Sequence, residues 1–143
     1  MLNFLSPPKA KPLISDEKIS SEYKKLRFQV FLGIFIGYAG YYLVRKNFTQ
    51  VMPDLVKLGF TKAELGFALS GISIAYGVSK FVMGMVSDKS DARVFLSLGL
   101  FLSGLTMIVM GHFSWATSSI PIMFTILLIL GWFQGMGWPP SGR

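Results

Sequence analysis

Two cationic side chains lie inside apolar stretches of this sequence, where charge is costly. Lys80 interrupts an apolar run that extends from Leu65 to Val86, and Arg45 lies eight residues before Pro53. An ammonium at the centre of a bilayer costs at least about 2.5–3.5 kcal/mol, so it is expected to face a bundle interior or a wet cavity. Two alternatives stay open: Lys80 could extend its stem to the membrane surface, and Arg45 could mark the polar end of a helix.

Tyrosines accompany both cations at helical spacing. Tyr38, Tyr41 and Tyr42 precede Arg45 by seven, four and three positions, and Tyr76 precedes the lysine by four. Residues at these separations share one face of a helix. Arginine offers a planar set of five donors that suits phosphate, so this face is a candidate anion site. An aromatic belt at the membrane surface is the competing interpretation of the tyrosines.

Acidic residues are missing from the middle of every apolar run. Proton-coupled pumps often use a carboxylate or histidine relay inside the membrane. Cations at membrane depth without matching anions indicate that a bound substrate supplies the negative charge. The sequence therefore favours an anionic cargo.

Composition argues against several other classes of protein. The 143 residues are 52% hydrophobic with a mean hydropathy of +0.53, and they include no cysteine and one histidine, His112. That is too apolar for a typical soluble domain. With no metal-ligand spacing and no paired carboxylates at depth, neither an enzyme nor a bound cofactor or metal is expected. The net charge of +7 does not indicate nucleic acid, because the basic residues flank apolar runs instead of forming one face.

The hydrophobic pattern predicts an all-α, polytopic membrane protein with four transmembrane helices. They are expected at about 28–52, 62–87, 93–113 and 118–138. Each is near the roughly 20 residues that a spanning helix needs. Pro53 is expected to end the first helix. Residues 1–27 hold three prolines and many charges and are expected to form a polar tail, in which a short interfacial helix over 16–27 is possible.

Lysine and arginine are distributed unevenly between the two sides of this arrangement. Six lie in the first 27 residues, Lys89 and Arg93 lie between the second and third helices, and Arg143 follows the fourth. The segment between the third and fourth helices has none. Because short loops rich in these residues stay in the cytoplasm, both ends of the chain are expected to be cytoplasmic.

Small residues recur at four-residue intervals within the predicted helices. The pairs are Gly33 with Gly37, Gly66 with Ser70, Ser73 with Gly77, and Gly131 with Gly135. Such pairs let membrane helices approach closely. They support a helix bundle and carry no information about a substrate.

Four collinear stretches are more specific. They are Gly37–Phe48 with its YYLVRKNF segment, Leu65–Lys80, Trp115–Ser119, and Gly131–Arg143, which reads GWFQGMGWPPSGR. Together they resemble the organophosphate:phosphate antiporters of the major facilitator superfamily, over nearly the whole chain after about residue 20. The resemblance implies a bacterial inner-membrane protein that takes up glycerol 3-phosphate in exchange for inorganic phosphate. On this view residues 28–143 form part of the N-terminal six-helix half.

The resemblance also implies roles for particular residues. Arg45 matches the arginine that grips phosphate in this family, and Lys80 matches a lysine that helps to hold the substrate. Aromatic positions near that site are matched by Tyr38, Tyr42, Tyr76 and, on the fourth helix, Trp138. Such transporters bind near the midplane, between two six-helix halves.

The loop between the second and third helices resembles the superfamily motif G-x-x-x-D-[RK]-x-G-[RK]-[RK]. The matching positions are Gly84, Asp88, Lys89 and Arg93, whereas positions 91 and 92 depart from it. The resemblance implies a cytoplasmic charge latch between helices, with Gly84 allowing a close approach. The alternative is an ordinary solvated loop.

Three expectations follow from the extent of the match. Twelve helices are implied and four are present, so the chain is expected to be a fragment that lacks the C-terminal half and does not transport alone. A sibling antiporter for hexose phosphate or phosphoglycerate would share much of the same grip. A small four-helix exporter that works as a dimer would make 143 residues a whole protein, but the acidic residue that such exporters use to bind cations is absent.

Overall fold

The described part of the chain is entirely helical. The computed structural model describes residues 16–141, although not every side chain near their two ends. Within that range the elements are α1 (Asp16–Lys57), α2 (Lys62–Ser87), α3 (Ala92–His112), a 3-10 turn (Ser114–Thr117), α4 (Ile120–Gln134) and the short α5 (Trp138–Ser141). No strand occurs among these residues, and the all-α prediction is confirmed.

The first helix is longer at both ends than the sequence predicts. α1 has 42 residues and includes 16–27, so that stretch continues into the membrane-spanning segment instead of forming a separate helix. Pro53 lies inside α1, which continues to Lys57, so the prediction that the helix ends at Met52 is wrong. A proline removes one backbone hydrogen bond, and here the helix continues for one further turn. The predicted tail otherwise falls on residues 1–15, outside the described range.

A tight turn and a capping box separate α1 from α2. Gly59 has φ = 106°, a left-handed conformation that glycine adopts without a Cβ penalty. Thr61 then caps α2: its side chain accepts from the Glu64 backbone N–H at 3.2 Å, and Glu64 accepts from the Thr61 N–H at 2.8 Å. This reciprocal pair satisfies two donors that the first turn of a helix leaves open, so α2 begins at Lys62.

Within residues 16–141, three of the helices are long and apolar enough to cross a membrane. They are Glu22–Lys57, Lys62–Ser87 and Ala92–His112. The fourth predicted helix, 118–138, is interrupted: α4 has 15 residues and ends at Gln134. At about 1.5 Å per residue it spans roughly 22 Å, less than the hydrocarbon core of about 30 Å. The physical reason is packing between helices: Gly135 and Gly137, which bracket the turn after α4, lie so close to Ser79 and to the Tyr41 ring that a Cβ at either glycine would crowd them.

α2 and α4 make the most extensive helix–helix contact in the described residues. A Cβ at Gly131 would lie 2.9 Å from the Ile72 Cα, and one at Gly71 would lie 2.9 Å from the Phe124 carbonyl oxygen. The predicted pair at 131 and 135 therefore marks a real close approach. A Cβ at Gly33, Gly66 or Gly77 would meet no described atom within 4 Å. The core between the helices consists of side chains that include Leu65, Ala68, Ile72, Met123, Leu127 and Leu130.

A hydrogen bond from a serine hydroxyl also links α2 to α4, and its removal gives a first prediction. Ser79 is fully buried, and its Oγ donates to the Trp132 carbonyl oxygen at 2.6 Å. We expect Ser79→Ala to lower the free energy of unfolding by about 0.5–1.5 kcal/mol, since interhelical hydrogen bonds in membranes are of this modest size. Ser70→Ala is the matched control, because the Ser70 hydroxyl bonds within its own helix, to the Phe67 carbonyl oxygen. Unfolding in mixed micelles of rising denaturing-detergent content measures both, and equal losses would contradict the prediction.

Candidate functional site

A small cavity lies where α1, α2 and the α4–α5 turn meet. Its volume is about 30 Å³, so the side chains around it are close together. They are Tyr38, Tyr41, Tyr42, Arg45, Tyr76, Gln134, Gly137 and Trp138. Five of the six predicted binding residues therefore line one cavity, and the sixth, Lys80, contacts two of them. Residues separated by about a hundred positions in the sequence are brought together here by the fold.

Both predicted cations lie over the same aromatic ring, that of Tyr76. The Arg45 guanidinium carbon is 5.0 Å from the centroid of the Tyr76 ring, and the Lys80 ammonium is 4.3 Å from the same centroid. Each distance falls within the roughly 6 Å range of a cation–π interaction, worth about 0.5–2 kcal/mol depending on desolvation. The Lys80 ammonium thus lies beside the cavity, between the Tyr76 and Trp138 rings.

Trp138 provides the second aromatic wall. The Lys80 ammonium is 5.0 Å from the centroid of its ring, and the Tyr38 ring meets it edge to face at 6.3 Å. The side chain is 56% exposed, so one side of it remains accessible. Sequence analysis placed Trp138 on the fourth helix, whereas it is the first residue of α5, after the turn that ends α4. The turn carries its ring back toward α1.

The site presents positive charge without an acidic residue in its wall. The residues that line the cavity comprise four tyrosines, one tryptophan, a glutamine, a glycine and Arg45. Tyr42 is 60% exposed, and Tyr38 is half-buried. Such a set offers hydroxyl and guanidinium donors to an anion. It offers no carboxylate that would compete with that anion for the cations.

The predicted loop motif lies at the C-terminal end of α2, which is about two turns after Lys80. Asp88 follows the helix, and its backbone N–H donates to the Gly84 carbonyl oxygen at 3.0 Å. Asp91, one of the positions that depart from the motif, caps α3 by accepting from the Arg93 backbone N–H at 2.9 Å. Asp91 therefore has a structural role in starting α3, although it departs from the motif. A Cβ at Gly84 would meet no described atom within 4 Å, so the expected close approach at Gly84 is not made by this part of the chain.

The charged side chains of the motif are at the surface of the described structure. Lys89 and Arg93 are exposed, and Arg93 lines a groove of about 470 Å³ between α1 and α3. The residues around it are mainly apolar and include Leu26, Val30, Gly33, Ile34 and Leu96. The charge latch that the motif implies stays a prediction.

Sequence reasoning assigned no role in the site to three of the lining residues. Tyr41 is grouped with its neighbours by spacing alone, and neither Gln134 nor Gly137 is among the predicted binding residues. Gln134 is buried and its Nε2 donates to the Tyr41 carbonyl oxygen at 3.2 Å. A buried amide in an apolar helix was the available signal, because such a group needs a partner.

Comparison with known proteins gives the class to which this membrane chain belongs. Residues 34–143 match the family model of the Major Facilitator Superfamily, and the chain belongs to that family. It is 56% identical, over its full length, to the glycerol-3-phosphate transporter of Bacillus subtilis, and covers 32% of that protein. It is 57% identical, over 96% of its length, to the glycerol-3-phosphate transporter of Haemophilus influenzae, and covers 29% of it.

A relative named for a different substrate has a lower identity to this chain. The probable hexose phosphate transport protein of Chlamydia pneumoniae is 44% identical over 98% of the chain, which covers 30% of that protein. The chain thus spans about a third of the length of the curated relatives it matches. Membership of the family, together with the apolar helices, makes this a multi-pass membrane protein. It also removes the small dimeric exporter from the alternatives.

Proposed function

We propose that this chain is part of a transporter that exchanges glycerol 3-phosphate for inorganic phosphate, with Arg45 and Lys80 as the cations that hold the phosphate group. The observation that carries the proposal is their convergence on Tyr76, at 5.0 and 4.3 Å. Two cations that share one ring, beside a cavity wall without a carboxylate, form a place where a doubly charged oxyanion is stabilised. The proposed activity is that of a longer protein. Such a protein would contain this segment and also a region equivalent to the part of the relatives that this chain does not cover.

Arg45 is proposed to fix the position of the phosphate. Its guanidinium can donate two parallel charge-assisted hydrogen bonds to two phosphate oxygens. Tyr38 and Tyr42 on the same helix contribute hydroxyl donors beside it, and Tyr42 is the more exposed of the two. Hydroxyl and guanidinium donors favour an oxyanion over an apolar solute.

Lys80 is proposed to act as a movable charge. Its ammonium lies against Tyr76 at 4.3 Å and Trp138 at 5.0 Å, held by attractions that are weak compared with a charge-assisted bond to phosphate. An entering anion would therefore draw the ammonium off the rings. When the anion leaves, the rings offer the charge a resting place that is better than bare hydrocarbon.

One cationic site for two anions gives a basis for exchange. Inorganic phosphate and glycerol 3-phosphate share the phosphate group, so both would compete for Arg45 and Lys80. If the empty, doubly cationic site reorients slowly because of its uncompensated charge, each bound anion must be replaced by another. The protein would then alternate its access between the two sides of the membrane, as transporters with repeated helical halves do, and the gradient of outgoing phosphate would drive uptake.

The proposed location is the bacterial inner membrane, with the N-terminus in the cytoplasm. Lysine and arginine concentrate in the first 27 residues and around the α2–α3 loop, where Lys89 and Arg93 are exposed. Because such segments are retained on the cytoplasmic side, α1 would run outward and α2 would return. A protease-protection assay on a tagged N-terminus in right-side-out vesicles tests this orientation.

A transporter for another organophosphate, such as hexose phosphate, is the second candidate. The relative at 44% identity carries that substrate name, against 56% and 57% for the two glycerol-3-phosphate transporters. The phosphate grip would be the same in both, because it depends on the cations. The difference lies in the organic part of the substrate, so competition between organophosphates separates the candidates.

The decisive test is exchange in a reconstituted membrane. We expect proteoliposomes loaded with inorganic phosphate to take up labelled glycerol 3-phosphate when they contain the longest protein that the gene encodes. Unlabelled glycerol 3-phosphate should compete more strongly than glucose 6-phosphate, and vesicles without internal phosphate should take up little. Stronger competition by glucose 6-phosphate would favour the hexose phosphate candidate, and uptake independent of internal phosphate would contradict exchange. Parallel vesicles with the 143-residue chain show whether these helices suffice.

A further inference from the structure

Tyr41 differs from the other tyrosines of the site in that it is buried. Its side chain is 6% exposed, whereas Tyr42 next to it is 60% exposed. The Tyr41 hydroxyl donates to the Leu96 carbonyl oxygen on α3 at 2.9 Å. Because this hydroxyl is already engaged with the backbone of another helix, it is poorly placed to serve a substrate. The residue therefore needs a different explanation from its neighbours.

The backbone of Tyr41 is engaged as well. Its carbonyl oxygen accepts from Nε2 of Gln134, the last residue of α4, at 3.2 Å. The side-chain amide is buried, so this bond satisfies a donor that would otherwise be costly in an apolar bundle. One residue of α1 is thereby joined to α3 through its hydroxyl and to the end of α4 through its carbonyl; we name these two bonds the Tyr41 tie.

Two glycines make room for the Tyr41 ring. A Cβ at Gly137 would lie 2.9–3.2 Å from three carbons of that ring. A Cβ at Gly99 on α3 would meet the Tyr41 hydroxyl and, at 2.7 Å, the Cβ of Met136. The ring therefore packs directly against the backbone of the turn that joins α4 to α5. A larger residue at either glycine would push that turn away.

The residue that follows this turn is Trp138. Its ring borders Tyr38 at 6.3 Å and the Lys80 ammonium at 5.0 Å. We propose that Tyr41, through the Tyr41 tie and its contact with Gly137, is a positioning residue that sets the placement of Trp138 and so the resting position of Lys80. The consequence for substrate binding rests on the proposed function, whereas the placement of Trp138 does not.

Fluorine NMR of the three tryptophans tests this placement directly. The chain, labelled with 5-fluorotryptophan and held in lipid nanodiscs, gives resonances from Trp115, Trp132 and Trp138; Trp138→Phe assigns the last. We expect Tyr41→Phe, which removes only the hydroxyl, to shift the Trp138 resonance and leave that of Trp115 in place. Tyr23→Phe is the matched control on α1, because Tyr23 is 61% exposed, and it should shift none of the three.

A second variant reaches the turn without touching a hydrogen-bonding group. Gly137→Ala should shift the Trp138 resonance in the same spectrum, while Gly104→Ala on α3, whose Cβ would meet no described atom within 4 Å, should not. A Trp138 resonance that stays at its wild-type position in both Tyr41→Phe and Gly137→Ala would overturn the proposal. A collapse of all three resonances in both variants would overturn it too, because Tyr41 would then serve the fold as a whole.

Added inorganic phosphate separates this proposal from the proposed function. In the wild-type chain, phosphate that draws Lys80 off the rings should shift the Trp138 resonance. If phosphate shifts no resonance while Tyr41→Phe still shifts that of Trp138, the phosphate site fails and the positioning role stands. If phosphate shifts the Trp138 resonance and the two variants do not, the phosphate site stands and the positioning role fails.

Discussion

Replacing Arg45 by lysine is expected to lower the affinity for inorganic phosphate by on the order of a hundredfold, although the charge is unchanged. The arginine guanidinium donates two parallel hydrogen bonds to two phosphate oxygens. The lysine ammonium is a point charge and cannot reproduce this geometry. Hydrogen bonds to charged groups contribute about 1.5–3 kcal/mol, so losing their geometry accounts for a change of this size. Equilibrium binding of labelled phosphate to the longest protein that the gene encodes, in nanodiscs, measures it.

The control for this substitution is Arg27→Lys. Arg27 is on the same helix, is exposed, and does not line the cavity around Tyr76. The same chemical change there should leave phosphate affinity within about twofold, because exposed charges far from a site contribute little beyond screening. Near-normal affinity in Arg45→Lys, with normal stability in both variants, would count decisively against the phosphate assignment.

The cation–aromatic contacts suggest a measurable difference between the two cations. Arg45 contacts one ring, and Lys80 lies between two, at 4.3 and 5.0 Å. If Arg45 fixes the phosphate and Lys80 follows it, geometry matters most at Arg45, and charge alone matters at Lys80. The sequence suggested both cations as anion ligands, and the structure adds the rings on which Lys80 rests.

Helix α2 shows how far local signals reach. Its first residue, Lys62, follows a threonine and precedes a glutamate at the spacing of a capping box, and its apolar run is interrupted once, by Lys80. Local chemistry therefore defines both the start of the helix and the residue that must face inward. α1 and α4 differ, since their ends depend on whether the surroundings tolerate Pro53 and where the turn at 135–137 packs. Neither condition is visible in a local pattern.

The candidate site also has one part that local spacing predicts and another that depends on how the helices pack. Arg45 and the tyrosines before it share a helix face, which spacing alone predicts. The contacts across helices, from Lys80 to Trp138 and from Gln134 to the Tyr41 carbonyl, join residues 58 and 93 positions apart. They depend on the crossing of α1, α2 and α4, and only the resemblance to a known family had grouped most of these residues beforehand. Tyr41 was placed on the correct face, but its burial depends on α3, which its own helix cannot reveal.

The crossing of α2 and α4 is therefore the point at which a small change should have a large structural effect. A Cβ at Gly131 would overlap the Ile72 carbonyl oxygen and lie 2.9 and 3.0 Å from the Ile72 Cα and carbonyl carbon. These are backbone atoms in the middle of a helix, so no rotamer change can relieve the contact. We expect Gly131→Ala to lower the free energy of unfolding by about 1–3 kcal/mol, even though alanine favours a helix over glycine by about 1 kcal/mol.

Gly77→Ala on α2 isolates the packing effect from the propensity effect. A Cβ at Gly77 would meet no described atom within 4 Å, so this variant should be as stable as the wild type or slightly more stable in the same detergent titration. Opposite signs in the two variants would show that backbone contact, and not helix propensity, decides the outcome at Gly131. Equal stability of the two would mean that α2 and α4 do not cross as closely as the structure has them. Because Gln134 and the turn before Trp138 continue from α4, the same displacement should also move the aromatic wall around Lys80.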